Sequence, residues 1–426
     1  MPNSRIRSLL LVAALLVVLG AATTTFAQDL APVVPESVQV SSHRLERLDA
    51  AMQDYVDQER LAGAVVLVAR RGSVVYHKAF GKRDIKSGAE MRKNAIFRIA
   101  SQSKALVSTG ILLLQEQGKL LITDRLDKYF PGFASATVAV KSDEGGYAVE
   151  PARRPITLRD LLTHTAGISY GTGTAKDRWE AAGIQGWYFA DREEPIAETV
   201  ARMASLPFES HPGDRWIYGY NTDILGAVAE RASGQPLDEF LRESLLEPLG
   251  MKDTHFYLPE SKAGRLTTVY SATEDGLQRA PDPGHMTGQG HYLKGPRTSF
   301  SGGAGFLSTA RDYARFLQMM LNGGKLDGRR ILSRKTVELM ISDHLHGIDF
   351  RPGQGFGLGF YVIKDVGARG LPGTVGEFGW GGAYHSTYWV DPAEELVVVY
   401  MTQLIPARGI DDHRRLRALV YQALAD

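Results

Sequence analysis

Residues 101–114 read Ser-Gln-Ser-Lys-Ala-Leu-Val-Ser-Thr-Gly-Ile-Leu-Leu-Leu, a serine and a lysine three positions apart at the head of a strongly apolar run. A run that is apolar around most of the helical circumference marks a buried helix. Three residues is close to one turn, so Ser101 and Lys104 share a face. Burial favours the neutral amine, which can take the serine proton, and a helix N-terminus favours the negative charge that develops. Ser101 as an N-cap, with Lys104 reaching solvent, explains the spacing equally well. With 25 Ser and 15 Lys in 426 residues, chance alone supplies roughly one Ser-x-x-Lys, so the weight lies in the surroundings.

Upstream, residues 42–58 place Leu45, Leu48, Met52 and Val56 at helical spacing, and residues 64–81 read as two strands around an Arg71-Gly72 turn. Downstream, from about Phe97 to Met320, the pattern is mostly helical. Residues 105–118, 157–167 and 223–234 each carry apolar residues at i, i+3, i+4 and each end on a glycine suited to a C-cap. Residues 137–151 alternate around Gly145-Gly146 and predict a hairpin. Beyond Gly355 strands return at 356–363, 385–390 and 396–403, and an amphipathic helix at 412–424 closes the chain. The expected fold class is α+β: an antiparallel sheet flanked by helices, built from both chain ends (about 42–100 and 350–426), with an inserted helical domain (about 101–320).

The 49 Lys and Arg against 48 Asp and Glu leave a formal charge of +1, which supplies no basic surplus for nucleic acid. Hydrophobic residues at 44% and charged residues at 23% describe a folded globule. Cysteine is absent, which removes disulfides, thiolate nucleophiles, zinc fingers and iron-sulfur clusters. At the N-terminus, Arg5 and Arg7 precede an apolar run from Leu9 to Ala22, and a small residue stands at Ala27. This is the layout of a secretory signal peptide over 1–27, cleaved after Ala27, with the run short for the roughly 20 residues that span a bilayer. The expectation is a periplasmic or secreted chain, 28–426, without stable membrane insertion.

Other candidates compete with Ser101. Gly167-Ile168-Ser169-Tyr170-Gly171 fits the G-x-S-x-G nucleophile elbow, but the elbow needs a strand before it and the preceding pattern is helical. His344-Leu345-His346 with Asp349 lacks the spacing of a metal site. Tyr218, in Trp-Ile-Tyr-Gly-Tyr-Asn-Thr-Asp, can carry a proton if a cation such as Lys104 stabilises its phenolate. Without that partner, Trp216, Tyr218 and Tyr220 read as packing aromatics. Gly379-Trp380-Gly381-Gly382-Ala383 precedes a strand, where an unpaired amide can bind an oxyanion or a bulge can form.

Taken in order, Ser101-x-x-Lys104, Tyr218 at the head of a Y-x-N position and Trp380-Gly381-Gly382 resemble the serine β-lactamase and penicillin-binding-protein superfamily. Within it they resemble the class C-like branch that includes family VIII carboxylesterases. Four further segments, 156–168, 301–324, 356–360 and 388–401, extend the resemblance over nearly all of residues 28–426. It implies the β-lactamase/transpeptidase-like fold and a serine hydrolase: Ser101 as nucleophile, Lys104 and Tyr218 as proton carriers, and the Ser101 and Ala383 amides as oxyanion hole. Tyr220, Trp380, Gly381 and Gly382 would bind substrate, with no cofactor and no metal. The expected substrate is a small-molecule carboxylic ester. A β-lactam or D-alanyl-D-alanine peptide is the alternative on the same mechanism, and a non-catalytic cell-wall or peptide-binding protein is a third reading. Tyr220 stands where the family has Asn, and Trp380 where it has a cation. A site without those groups should bind anionic amides poorly and suit apolar acyl or alcohol groups.

Overall fold

The computed structural model describes residues 29–142 and 145–425, so the signal peptide expected over 1–27 lies outside the described residues. Strands Gly63–Arg70 and Ser73–Asp84 form the first hairpin. Arg71 and Gly72 both take positive φ, 50° and 73°, as a tight hairpin turn between right-twisted strands requires. Strand Leu396–Thr402 pairs antiparallel with Gly63–Arg70, Val398 opposite Val68, and so joins the two ends of the chain in the middle of the sheet. The order continues through Ser386–Asp391, Phe378–Gly382, Tyr361–Ile363 and Gln354–Phe356. Ala31–Pro32 adds a short parallel edge beside Ser73–Asp84, and the sheet has nine strands among the described residues.

Both faces of the central strands are covered. Along Gly63–Arg70 every residue is buried. Because side chains alternate, Val66 and Val68 meet the terminal helices Ser42–Asp57 and Asp412–Tyr421, while Val65, Leu67 and Ala69 join the main core. Fully burying each of these valine and leucine side chains contributes about 1.5–3 kcal/mol. The main core also holds the helix Ser103–Glu116, whose residues from Ser103 to Leu114 are all buried. Its apolar circumference is therefore explained by packing on every side. The helix Ala310–Leu321 packs against Gly63–Arg70 and Leu396–Thr402, so the sheet also draws a covering helix from the middle of the chain.

The α+β architecture and the hairpin over Thr137–Lys141 and Tyr147–Pro151 agree with the sequence pattern. The middle of the chain is less helical than its periodicity. Residues 157–167 yield only Leu158–Leu162, capped by Thr157 and Asp160, before His164 turns the chain with φ +57°. Gly167 is not its C-cap. A Cβ there would lie 2.0 Å from the Ser210 carbonyl oxygen, so the glycine serves a close backbone approach. Between 247 and 309 the chain is mainly turns, with a small hairpin at Tyr270–Thr273 and Gly276–Arg279. Among the described residues no helix is long and apolar enough to cross a membrane.

Candidate active site

Ser101 sits in a single 3-10 turn, Ala100–Gln102, that runs straight into the helix Ser103–Glu116. The turn is gripped from two sides. Strand Phe97–Arg98 pairs with Leu307–Ser308, and the Ile99 amide donates to the Phe306 carbonyl at 3.0 Å. Opposite, Gly382 comes so close that a Cβ would lie 2.4 Å from the Ile99 carbonyl oxygen. Held between them, Ala100 adopts φ +43°, a left-handed conformation that costs a non-glycine residue about 1–3 kcal/mol. The result presents Ser101, half-buried, at the head of the buried helix.

Lys104 is 2% exposed, and its side-chain nitrogen lies within hydrogen-bond reach of three oxygens: Tyr170 Oη at 3.0 Å, the Gly303 carbonyl at 2.8 Å and Ser101 Oγ at 3.4 Å. Tyr170 and the Gly303 carbonyl can accept from two N–H groups, which leaves the remaining position on the nitrogen facing the Ser101 hydroxyl. The Gly303 carbonyl is in turn fixed by Asp223, whose Oδ1 accepts from the Gly303 amide at 3.0 Å and from Ser301 Oγ at 2.6 Å. Burial pushes the Asp223 carboxyl up, and Lys104 opposes that shift. Residues 301–305, Ser-Gly-Gly-Ala-Gly, owe their composition to this contact. A Cβ on Gly303 would meet Asp223 Oδ2 at 2.4 Å, and one on Gly302 would meet the Thr222 carbonyl at 2.4 Å.

The two tyrosines beside Lys104 take different positions. Tyr170 accepts the lysine hydrogen bond, and burial, with Tyr218 beside it, pushes its phenol well above the ordinary range. Tyr218 lies with its ring 4.6 Å from Lys104 Nζ, a cation–π contact, while its hydroxyl accepts from Trp380 Nε1 at 3.1 Å. Among the described residues no hydrogen bond joins Tyr218 to Ser101 or Lys104. Behind Tyr218 stands His164, 4.8 Å away between ring centroids, which burial holds well below its usual pKa and so neutral. Tyr220, expected to line the substrate pocket, is fully buried. It stacks on Trp179 at 5.7 Å and abuts Tyr170 edge-on at 5.1 Å, so it backs Tyr170 instead.

Trp380 completes an aromatic wall with Tyr218, Trp216, Phe350 and Phe356. The strand then ends at Gly381 and Gly382, and Ala383 lies exposed in the turn to Ser386–Asp391. That turn is anchored by His385, whose Nε2 contacts Asp412 Oδ1 at 2.7 Å, and Asp412 Oδ2 accepts from Tyr400 at 2.6 Å. His413 stacks on His385 at 4.1 Å, and burial pushes it down to about 4. Ligand atoms of His385, Asp412 and His413 fall within 4.8 Å of one another. With the two rings only 15° from parallel, their in-plane lone pairs run side by side instead of converging, and the carboxylate is already hydrogen-bonded. His344 and His346 are apart from the site: His344 Nε2 meets the Leu339 carbonyl, and His346 meets Arg159.

Ser169 follows a turn and not a strand, and its Oγ is engaged with Glu209 and the Gly171 amide. The structure thus gathers Ser101, Lys104, Tyr218, Trp380 and Gly382 into one site and adds Tyr170, Asp223 and His164, which sequence reasoning did not single out. Tyr170 lay inside the discounted G-x-S-x-G string, and Asp223 inside the segment used only for register.

A model of the beta-lactamase family matches residues 48–422. Esterase EstB of Burkholderia gladioli is 32% identical over 84% of this chain and 89% of its own length. The lovastatin esterase of Penicillium rubens is 30% identical over 85% of this chain and 94% of that protein. Among solved structures, EstCE1, described as a hydrolase with promiscuous acyltransferase activity, superposes with a TM-score of 0.79 at 27% identity, covering 89% of this chain and 98% of that one. With the Ser101–Lys104 pair at the head of a buried helix and the match spanning most of the sequence, the chain belongs to the beta-lactamase family, within the serine hydrolases.

Proposed function

We propose that the protein is exported and cleaves carboxylic esters through an acyl-enzyme on Ser101. The observation that carries this reading is the buried Lys104 amine in reach of Ser101 Oγ at 3.4 Å, supported by the relatives named as esterases. Ser101 Oγ attacks the ester carbonyl and its proton passes to the Lys104 nitrogen, with Tyr170 and Tyr218 completing the proton path to the leaving alcohol. The Ser101 and Ala383 amides hold the oxyanion, and water activated by the same groups releases the acid. Trp380, Gly381 and Gly382 border the space for the alcohol or acyl group.

Initial rates on p-nitrophenyl butyrate and on a chromogenic cephalosporin test the reading, with wild type and Ser101→Ala side by side. Ester turnover that disappears in Ser101→Ala supports it. A much faster cephalosporin reaction would replace it with a β-lactamase. Mass measurement of the protein recovered from the periplasm or medium tests export, with Gln28 expected as the first residue.

A further inference from the structure

The ester reading leaves one cation beside the site without a role. Arg351 lies in the loop between helix Arg334–Met340 and strand Gln354–Phe356 and is exposed. Its guanidinium carbon stands 5.1 Å from the Trp380 ring centroid and 5.0 Å from that of Phe350. Those two rings are nearly parallel, 17° apart at 6.4 Å. Trp380 is the residue whose indole N–H reaches Tyr218, so the guanidinium is one aromatic ring removed from the proton-carrying tyrosine.

Two features make Arg351 a receptor and not a structural ion. Among the described residues no carboxylate forms an ion pair with it. The neighbouring arginines differ: Arg369 and Arg417 both pair with the buried Glu377 and are spoken for. Contact with an aromatic face also leaves a guanidinium its in-plane fork of N–H donors, the geometry that takes a carboxylate bidentately. The family position that would carry a cation holds Trp380, and this suggested poor binding of anionic ligands. Arg351 supplies a cation to the same edge from a different loop.

We propose that Arg351 binds a carboxylate on the substrate, so that the preferred substrates are esters bearing a free acid group, of the kind formed by half-esters of dicarboxylic acids. The proposal rests on the ester reading of Ser101. It is tested with the mono-p-nitrophenyl esters of succinate, glutarate and adipate against p-nitrophenyl butyrate, in wild type, Arg351→Gln and Arg351→Lys. The quantity read is the ratio of kcat/KM for the best anionic ester to that for butyrate. Arg351→Gln is expected to lower this ratio at least tenfold, chiefly through KM, with partial recovery in Arg351→Lys. The wild-type ratio should fall as NaCl rises from 50 to 500 mM, because the contact is solvent-facing. If butyrate is cleaved and the ratio is the same in wild type and Arg351→Gln, the arginine's role is refuted and the ester reading stands. Equal loss on both ester types refutes it too, since Arg351 would then act through Tyr218. Absence of turnover on every ester by wild type removes the ester reading and this inference with it.

Discussion

Replacing Tyr170 by Phe removes one oxygen from the site and leaves its ring in place. That oxygen accepts the 3.0 Å hydrogen bond from Lys104, while the Gly303 carbonyl and Ser101 Oγ also lie within reach of the nitrogen. Hydrogen bonds to charged groups contribute about 1.5–3 kcal/mol. Lys104 gains its positive charge when it takes the serine proton, so the bond is strongest as the transition state is approached. The loss should therefore fall on kcat, by about 10- to 150-fold at 1.36 kcal/mol per tenfold, with KM on p-nitrophenyl butyrate changed much less. Burial holds the Tyr170 phenol well above its ordinary value, so the hydroxyl stays protonated through neutral and mildly alkaline pH. The pH–rate profile of Tyr170→Phe up to pH 9 should keep the wild-type shape at reduced height. The assay is steady-state kinetics over that range, with a thermal melt to verify folding. A folded Tyr170→Phe with kcat within twofold of wild type, beside a Tyr218→Phe whose kcat collapses, would refute the reasoning and make Tyr218 the sole phenol in the proton path.

Ser169→Ala should retain nearly full ester turnover, because its Oγ is engaged with Glu209 and the Gly171 amide and, among the described residues, makes no hydrogen bond to Lys104; loss of activity there with Ser101→Ala still active would reverse the assignment of the nucleophile. Glu377→Gln should destabilise the fold by about 3–5 kcal/mol in equilibrium denaturation, since among the described residues the buried carboxylate is the one ion-pair partner of both Arg369 and Arg417, at 2.9 and 2.7 Å; a loss below about 1 kcal/mol would show that the arginines find other partners. Asp253 gives an acid-side signal. Burial would raise its carboxyl, but hydrogen bonds from Arg265 and Lys262 prevail and bring it to about 2 from 3.8. Its folded-state pKa lies below the unfolded one, so its stabilisation is full above pH 4 and is lost as pH falls toward 2. Discounted for partial exposure, it contributes about 1–2 kcal/mol. Asp253→Asn should lower the melting temperature at pH 7 and converge with wild type near pH 2, and a constant gap at both pH values would contradict this.

What the sequence made legible follows from what can be read locally. The continuous apolar runs at 64–69 and 396–401 mark strands, because both faces of the sheet are covered there and every residue of the two strands is buried. The Ser101–Lys104 spacing was readable because one helical turn sets it. The tripod of oxygens around Lys104 was not readable, because Tyr170 and Gly303 reach it from 66 and 199 residues away. The same holds for Arg351, whose meaning depends on a ring in another strand. Tyr220 shows the converse: its place in the Y-x-N register aims it at substrate, whereas its ring is fully buried and stacks on Trp179. The helical period over 157–167 was a true apolar stripe, but only its first turn is helix, because the chain must turn at His164 to bring that ring behind Tyr218.

The G-x-S-x-G string and the proposed nucleophile Ser101 pose the same mechanical problem, which is how to lift a serine out of the backbone at the start of a helix. In the elbow, flanking glycines absorb the strain and so leave a mark in the sequence. Here the strained residue is Ala100, at φ +43°, with a side chain that gives no hint of unusual conformation. Its strain of about 1–3 kcal/mol persists because Phe306 and Gly382 close on Ile99 from both sides. The glycine that makes this possible is therefore not beside the serine but 281 positions later, at Gly382, where a Cβ would collide with the Ile99 carbonyl. Read this way, the Trp-Gly-Gly segment does more than border the substrate. It clamps the turn that aims Ser101, so enlarging Gly382 should disable the nucleophile even for substrates too small to touch it.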